Sequence, residues 1–185
     1  MKSVLISIQP YWAFLIIAKT MGWNIAKEKT VEVRKNYPKD KDWDKVTKIY
    51  CSKDKKSFTK IPKEYQPLME HFLGKVIGEF VCDKLVWVVA HPSIFAGHDL
   101  FYKQAIEDAC LTQDEVEKYS GGKDVYGWHI SDLVIYDKPR ELSEFFKACD
   151  KPKGTDCSVC IDHRENKCKS IARPPQSWCY VESEE

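Results

Sequence analysis

The stretch GKVIGEFVCDKLVWVV, residues 74–89, constrains the fold more than any other part of the chain. It is apolar and rich in β-branched residues, so it predicts one long strand or a bent pair of strands in a sheet. Other runs of strand character surround it. SVLISIQP (3–10) is a short apolar strand closed by Pro10, and KTVEVRK (29–35) and VTKIYCSK (46–53) alternate with period two. VYGWHISDLVIYD (125–137) adds a further strand. Helical signals are fewer. YWAFLIIAKTMGW (11–23) is long and apolar enough for a buried helix, with Gly22 at its end. FYKQAIEDAC (101–110) and TQDEVEKYSGG (112–122) read as two helices. The second begins with a capping box, Thr112 and Glu115, and stops at Gly121 and Gly122. Pro139 is expected to open a short helix over RELSEFF, while residues 53–72, with two prolines, read as irregular.

Strands outnumber helices in this order and do not alternate with them. That excludes a doubly wound sheet and predicts an α+β fold, a mixed β-barrel with flanking helices. The chain's 185 residues suit one domain with an appendage. Residues 1–147 are assigned to the barrel, 148–170 to a Cys-rich segment, and 171–185 to a tail packing back on the barrel. No apolar run approaches the ~20 residues of a membrane span, and no cleavable leader is evident, so a cytoplasmic protein without membrane attachment is expected.

Charge is unevenly distributed. The formal net charge is +1, yet residues 27–63 hold thirteen Lys or Arg and six Asp or Glu, a net of +7, which leaves −6 elsewhere. A basic segment on an otherwise acidic chain suits a localised anionic partner such as RNA, or else a solvated lysine-rich loop.

Within that segment, KTVEVRK poses the sharpest question. As a strand it turns Val31 and Val33 one way and Thr30, Glu32 and Arg34 the other. On open surface, Glu32 and Arg34 would be an ion pair of little worth. In a cleft, Arg34 presents a fork to phosphate or a base edge, Glu32 accepts from an exocyclic amine, and a desolvated Lys29 is a base or a phosphate ligand. Aromatic residues that would stack on a base include Trp12, Trp23, Trp128 and Trp178, with Gln176 as a donor and acceptor beside the last, although most large aromatics are core. His129 and Ser131 share a strand face, but no nucleophile-elbow glycines surround Ser131, and a hydrogen-bonded structural His is the better reading.

Eight cysteines complete the inventory, five of them between residues 149 and 179. Cys157 and Cys160 have knuckle spacing, and Cys149 and Cys168 flank them symmetrically. In a reducing compartment this predicts a structural zinc held by Cys149, Cys157, Cys160 and Cys168, with Cys179 and His163 as substitutes and unliganded thiols as the alternative.

Several of these segments together resemble the ASCH domain, a branch of the PUA-like fold. EKTVEVRK matches the G-x-K-x-x-E-x-R signature at Lys29, Glu32 and Arg34. GKVIGEFVC, GWHISDLVIYDKPRELSEF and RPPQSWCYVE are similar to later segments of ASCH proteins of bacteria and phages. The resemblance spans residues 2–147 and 171–182. It implies a pseudo-barrel related to RNA-binding PUA domains, with a cleft carrying the signature Lys, Glu and Arg. Some small members deacylate N-acetylated cytidine, and ribonuclease activity is attributed to others. In the amidohydrolases a Thr nucleophile stands three residues after the Lys, and that position here is Glu32. The signature Gly is also absent, since residues 27 and 28 are Lys and Glu. The resemblance implies binding of RNA or a modified nucleotide by Lys29, Glu32 and Arg34, and the aromatic reading adds Trp12, Gln176 and Trp178 to the expected site. The alternatives are a nucleoside- or RNA-processing hydrolase using Lys29 and Glu32, and a zinc-stabilised protein adaptor.

Overall fold

The structure is a computed structural model and describes residues 2–39, 45–88, 99–148 and 169–183. The elements run β1 (Lys2–Ile8), α1 (Pro10–Ile17), β2 (Val31–Arg34), β3 (Lys45–Cys51), α2 (Lys55–Phe58), α3 (Gln66–Glu70), β4 (Val76–Cys82) and β5 (Leu85–Val88). There follow α4 (Asp99–Asp108), α5 (Gln113–Ser120), β6 (Val125–His129), β7 (Ser131–Arg140), a single 3-10 turn at Leu142–Glu144, and β8 (Trp178–Glu182). The chain is α+β, with a five-stranded sheet in the order β7-β4-β3-β1-β8 and a three-stranded sheet in the order β2-β6-β5.

Two compact units divide the chain. The first comprises Met1–Phe14, Lys45–Glu79 and Val134–Glu185, and the second Leu15–Asp44 and Phe80–Leu133. In the first unit, β1 pairs in parallel with β3 and antiparallel with β8. Leu5, Tyr50, Val76, Leu142, Phe145, Ile171 and Val181 form its apolar cluster. In the second unit, β6 lies between β2 and β5 and is antiparallel to both. Val31, Val33, Val88 and Val125 pack there with Ala105, Ile106 and Ala109 of the α4 region and Val116 of α5.

The apolar stretch that opened the sequence analysis is a bent pair. β4 joins the five-stranded sheet and β5 the three-stranded one, with Asp83 and Lys84 exposed between them. α5 carries the expected capping box, in which Thr112 Oγ1 accepts from the Glu115 amide and Glu115 accepts from the Thr112 amide. Gly121 closes the helix in the left-handed conformation at φ 62°.

Two expectations are corrected. Pro139 does not open a helix. It lies within β7, which runs on to Arg140, and only one 3-10 turn follows. The physical reason is pairing, because β7 is an edge strand, where a residue without an N–H is tolerated. Residues 174–177 lie outside the strands, and Trp178 begins β8, which pairs with β1 so that Trp178 stands opposite Ile6. Residues 53–72 also contain two short helices, α2 and α3, where an irregular segment was expected.

Gly78 shows how tightly β4 and β7 approach. A Cβ added there would clash with the carbonyl oxygen of Val134 and lie 3.1 Å from Ile135 Cα. Both are backbone atoms, so a rotamer change cannot relieve the overlap. Gly78→Ala is therefore expected to lower unfolding stability by about 1–3 kcal/mol, as overpacking does. Chemical denaturation of the two proteins measures this, and an unchanged midpoint would contradict the close approach.

Candidate functional site

The site is built around β2. Backbone contacts within the second unit fix the chain just before the strand. The Lys29 amide donates to the Leu15 carbonyl at 3.1 Å and the Thr30 amide to the Asp108 carbonyl at 2.9 Å. The Thr30 carbonyl then accepts from the Ile130 amide at 2.9 Å. β2 continues against β6 in a defined register, with Val31 opposite His129, Glu32 opposite Trp128, Val33 opposite Gly127 and Arg34 opposite Tyr126. Val31 and Val33 enter the apolar cluster of this unit. A Cβ at Gly127 would lie 2.7 Å from Val31 Cγ1, so a glycine is needed where the valine side chain crosses β6.

The alternate face of β2 is not solvated. Glu32 and Arg34 are 6% and 9% exposed, and Lys29, just before the strand, is 3% exposed. Glu32 Oε1 accepts from Arg34 Nη2 at 2.9 Å, and its other oxygen lies 3.4 Å from Lys29 Nζ. Lys29 Nζ also donates to the Ala109 carbonyl at 2.8 Å, just past the end of α4. Two basic side chains thus share one buried carboxylate. Burial pushes the Lys29 ammonium below its ordinary range, and the neighbouring Glu32 carboxylate opposes that shift.

Two residues beside this cluster were not predicted from sequence. Tyr119, on α5, feels both Arg34 and Glu32, and burial raises its phenol above the usual range. Lys35 Nζ stands 5.2 Å from its ring centroid. Cys110 adopts a left-handed backbone at φ 55° and its thiol donates to the Glu28 carbonyl at 3.2 Å. Burial raises that thiol's pKa, while the nearby Lys29 charge pulls the other way. No signal marks either residue, because both come from the helical region some eighty residues along the chain and meet β2 only through folding.

The remaining predicted residues are placed elsewhere. Trp12, Gln176 and Trp178 belong to the first unit. Trp12 packs edge-on to Tyr11 at 5.0 Å, Trp178 edge-on to Tyr180 at 5.4 Å, and Gln176 is exposed. Trp128 is buried and Trp23 half-buried, both in the second unit. His129 Nδ1 pairs with Asp83 Oδ1 at 2.6 Å, and Ser131 Oγ donates to the Val81 carbonyl at 2.8 Å. The histidine is hydrogen-bonded, as expected, and its partner is a carboxylate. Cys149, Cys157, Cys160, Cys168 and His163 lie outside the described residues. Cys179 is a half-buried residue of β8 whose thiol is raised by burial. Among the described residues, no group of three or more His, Cys, Asp or Glu side chains is arranged to hold a metal. No helix among them is long and apolar enough to cross a membrane.

No family model matches the sequence, and no curated protein matches it significantly. Solved structures do resemble it. Two single-residue mutants of ZmASCH from Zymomonas mobilis superpose with TM-scores of 0.54 and 0.56. They are 16% and 15% identical in sequence, and the matches cover 98% and 97% of this chain and 91% and 88% of theirs. The chain has the ASCH fold. In this fold Lys29, just before β2, comes together with Glu32 and Arg34 of β2 as one buried cluster.

Two consequences are measurable. Glu32→Ala leaves two buried basic groups without their carboxylate and is expected to cost about 3–5 kcal/mol in denaturation experiments. Lys29, whose folded pKa lies below its ordinary 10.5, binds fewer protons folded than unfolded just under that value. Its contribution to stability therefore increases as the pH rises toward 10.5. Comparing wild type with Lys29→Met across that alkaline window isolates this slope, and parallel curves would contradict it.

Proposed function

We propose that this ASCH-fold chain is a member of the ASCH family that binds RNA or a nucleotide-like ligand in the cytoplasm through Lys29, Glu32 and Arg34. The observation that supports this reading is the gathering of a lysine, a glutamate and an arginine in one buried cluster, with Glu32 at 2.9 Å from Arg34 and 3.4 Å from Lys29. A phosphate is the complementary ligand chemistry, and the arginine fork with a neighbouring carboxylate suits a base edge. The basic segment at residues 27–63 supplies the longer-range attraction.

Fluorescence titration against single-stranded RNAs and free nucleosides at two salt concentrations tests the reading. RNA affinity should fall steeply with salt, by a log–log slope of roughly −0.7 for each phosphate contacted. Arg34→Lys keeps the charge and loses the fork, and is expected to weaken the preferred ligand about ten-fold. Absence of binding to any of these ligands at low salt would overturn the proposal.

A second reading is favoured by one further observation. Lys29, lowered in pKa by burial, stands 3.4 Å from the Glu32 carboxylate. Such a pair suits acid–base processing of a nucleoside or RNA. Because Glu32 occupies the position of the amidohydrolase Thr, this reading involves no threonine acyl-enzyme. Nucleoside binding with little salt dependence, together with turnover abolished in Lys29→Met, would favour it over the binding module.

The zinc expectation is a separate proposal, supported by the Cys157–Cys160 spacing. Elemental analysis of the reduced, untagged protein should find about one zinc per chain. Cys157→Ser should lower that content, and protein without stoichiometric metal would end the idea, leaving unliganded thiols.

A further inference from the structure

We infer that a cavity in the first unit, lined by Lys53, Lys55 and Phe58, is a second ligand site that takes a nucleoside monophosphate, with the base against Phe58 and the phosphate on the two lysines. It concerns residues of the first unit only, so it stands or falls separately from the β2 cluster.

Local bonding builds the cavity. The chain leaves β3 at Cys51 and enters α2 at Lys55. Asp54 caps that helix, its side chain accepting from the Ser57 amide at 2.6 Å. Ser57 is buried, and its hydroxyl accepts from the Tyr11 amide at 3.1 Å, which anchors α2 to the start of α1. The Gly74 amide donates to the Cys51 carbonyl at 2.7 Å, and the Cys51 amide to the Lys75 carbonyl at 2.9 Å. The residues before β4 are thereby held beside those after β3. These segments enclose a cavity of about 260 Å³ lined by Lys53, Asp54, Lys55, Phe58, Thr59 and Leu73. At Gly74, with φ 76°, an added Cβ would run into Lys53 Cε. The glycine leaves the space that the Lys53 stem occupies.

The lining selects the occupant. Its volume falls below the roughly 300–1,000 Å³ of clefts that take a drug-sized ligand, so it suits a single ring. Phe58 and Leu73 are half-buried and apolar, and a phenyl ring is a surface on which a nucleobase stacks. Lys53 and Lys55 are both exposed, and among the described residues neither is in an ion pair. Their one acidic neighbour in the lining, Asp54, is engaged in capping, so the lining keeps a net positive charge. Residues 53–63 as a whole hold five lysines and one acid. Thr59 Oγ1 donates to the Lys56 carbonyl at 2.9 Å, which leaves its lone pairs to accept from an exocyclic amine or a ribose hydroxyl. A bare anion would gain nothing from Phe58 and Leu73, and an uncharged ring would gain nothing from the lysines. A ring that carries a phosphate uses both.

The test titrates the full chain with adenosine monophosphate, adenosine and inorganic phosphate by calorimetry, and maps amide shifts by NMR. Adenosine monophosphate should bind about ten-fold or more tightly than either fragment and should shift the amides of Thr59, Leu73 and Gly74. Lys53→Gln and Phe58→Leu should each weaken it about ten-fold, while Arg34→Lys leaves it unchanged. Lys53 is exposed, so Lys53→Gln should keep the wild-type melting temperature. If Phe58→Leu melts lower, Lys53→Gln and the wild-type shift map decide. Competition by a short single-stranded RNA with and without a terminal phosphate separates the two sources of the ligand. Preference for the phosphorylated strand assigns the cavity to an RNA end, and failure of both strands to compete assigns it to a free nucleotide, and either supports the site. If inorganic phosphate binds as tightly as adenosine monophosphate and Phe58→Leu changes nothing, the lysines are a simple anion patch and the proposal is overturned. If the nucleotide shifts only amides around β2 and is weakened only by Arg34→Lys, the cavity is overturned while the β2 reading stands. If wild type binds no adenosine monophosphate, the cavity is likewise overturned, and the RNA titrations above decide the β2 cluster on their own.

Discussion

One carboxylate holds the buried charged cluster at β2 together. Glu32 accepts from Arg34 and lies against Lys29, and all three side chains are removed from water. Burying even one unpaired charge is costly, so the cluster persists only as a unit. The Ala109 carbonyl contributes a fourth partner by accepting from Lys29. That bond ties β2 to the end of α4, and the Thr30 amide, donating to Asp108, ties them a second time. The helical region that covers the valine face of the small sheet is thus anchored through the charged residues beside it.

The first unit offers an instructive contrast. Lys48 is also buried there, with Glu79 Oε2 at 2.9 Å and Tyr136 donating to the same oxygen at 2.6 Å. There the lysine pairs with Glu79, which remains partly open to water. Burial of a lysine alone therefore does not mark a binding site in this chain. The β2 cluster differs in that an arginine and a lysine both pair with the same carboxylate, Glu32.

Much of the local structure was legible from spacing. Alternation in KTVEVRK requires that Val31 and Val33 share a face, and those valines enter the core. Thr112 and Glu115 specify a helix start because the capping box is a local hydrogen-bond exchange. Pro139 misled because proline at a helix start and proline on an edge strand look alike until the strand's neighbours are known. β8 carried no such local signal, since it is a strand only by virtue of β1, more than 170 residues away.

By itself the sequence determined which residue types stand together on one strand face, where the helices are capped, and where the basic charge is concentrated, because these depend on period and local bonding. Tertiary structure alone decided that the charged face of β2 is buried, that Ala109, Cys110 and Tyr119 border it, and that Tyr126 stands opposite Arg34. Those outcomes depend on which strand pairs with which and in what register. Register is set by the packing of side chains distant in sequence, and a slip of one residue would have sent each of these groups to the other face.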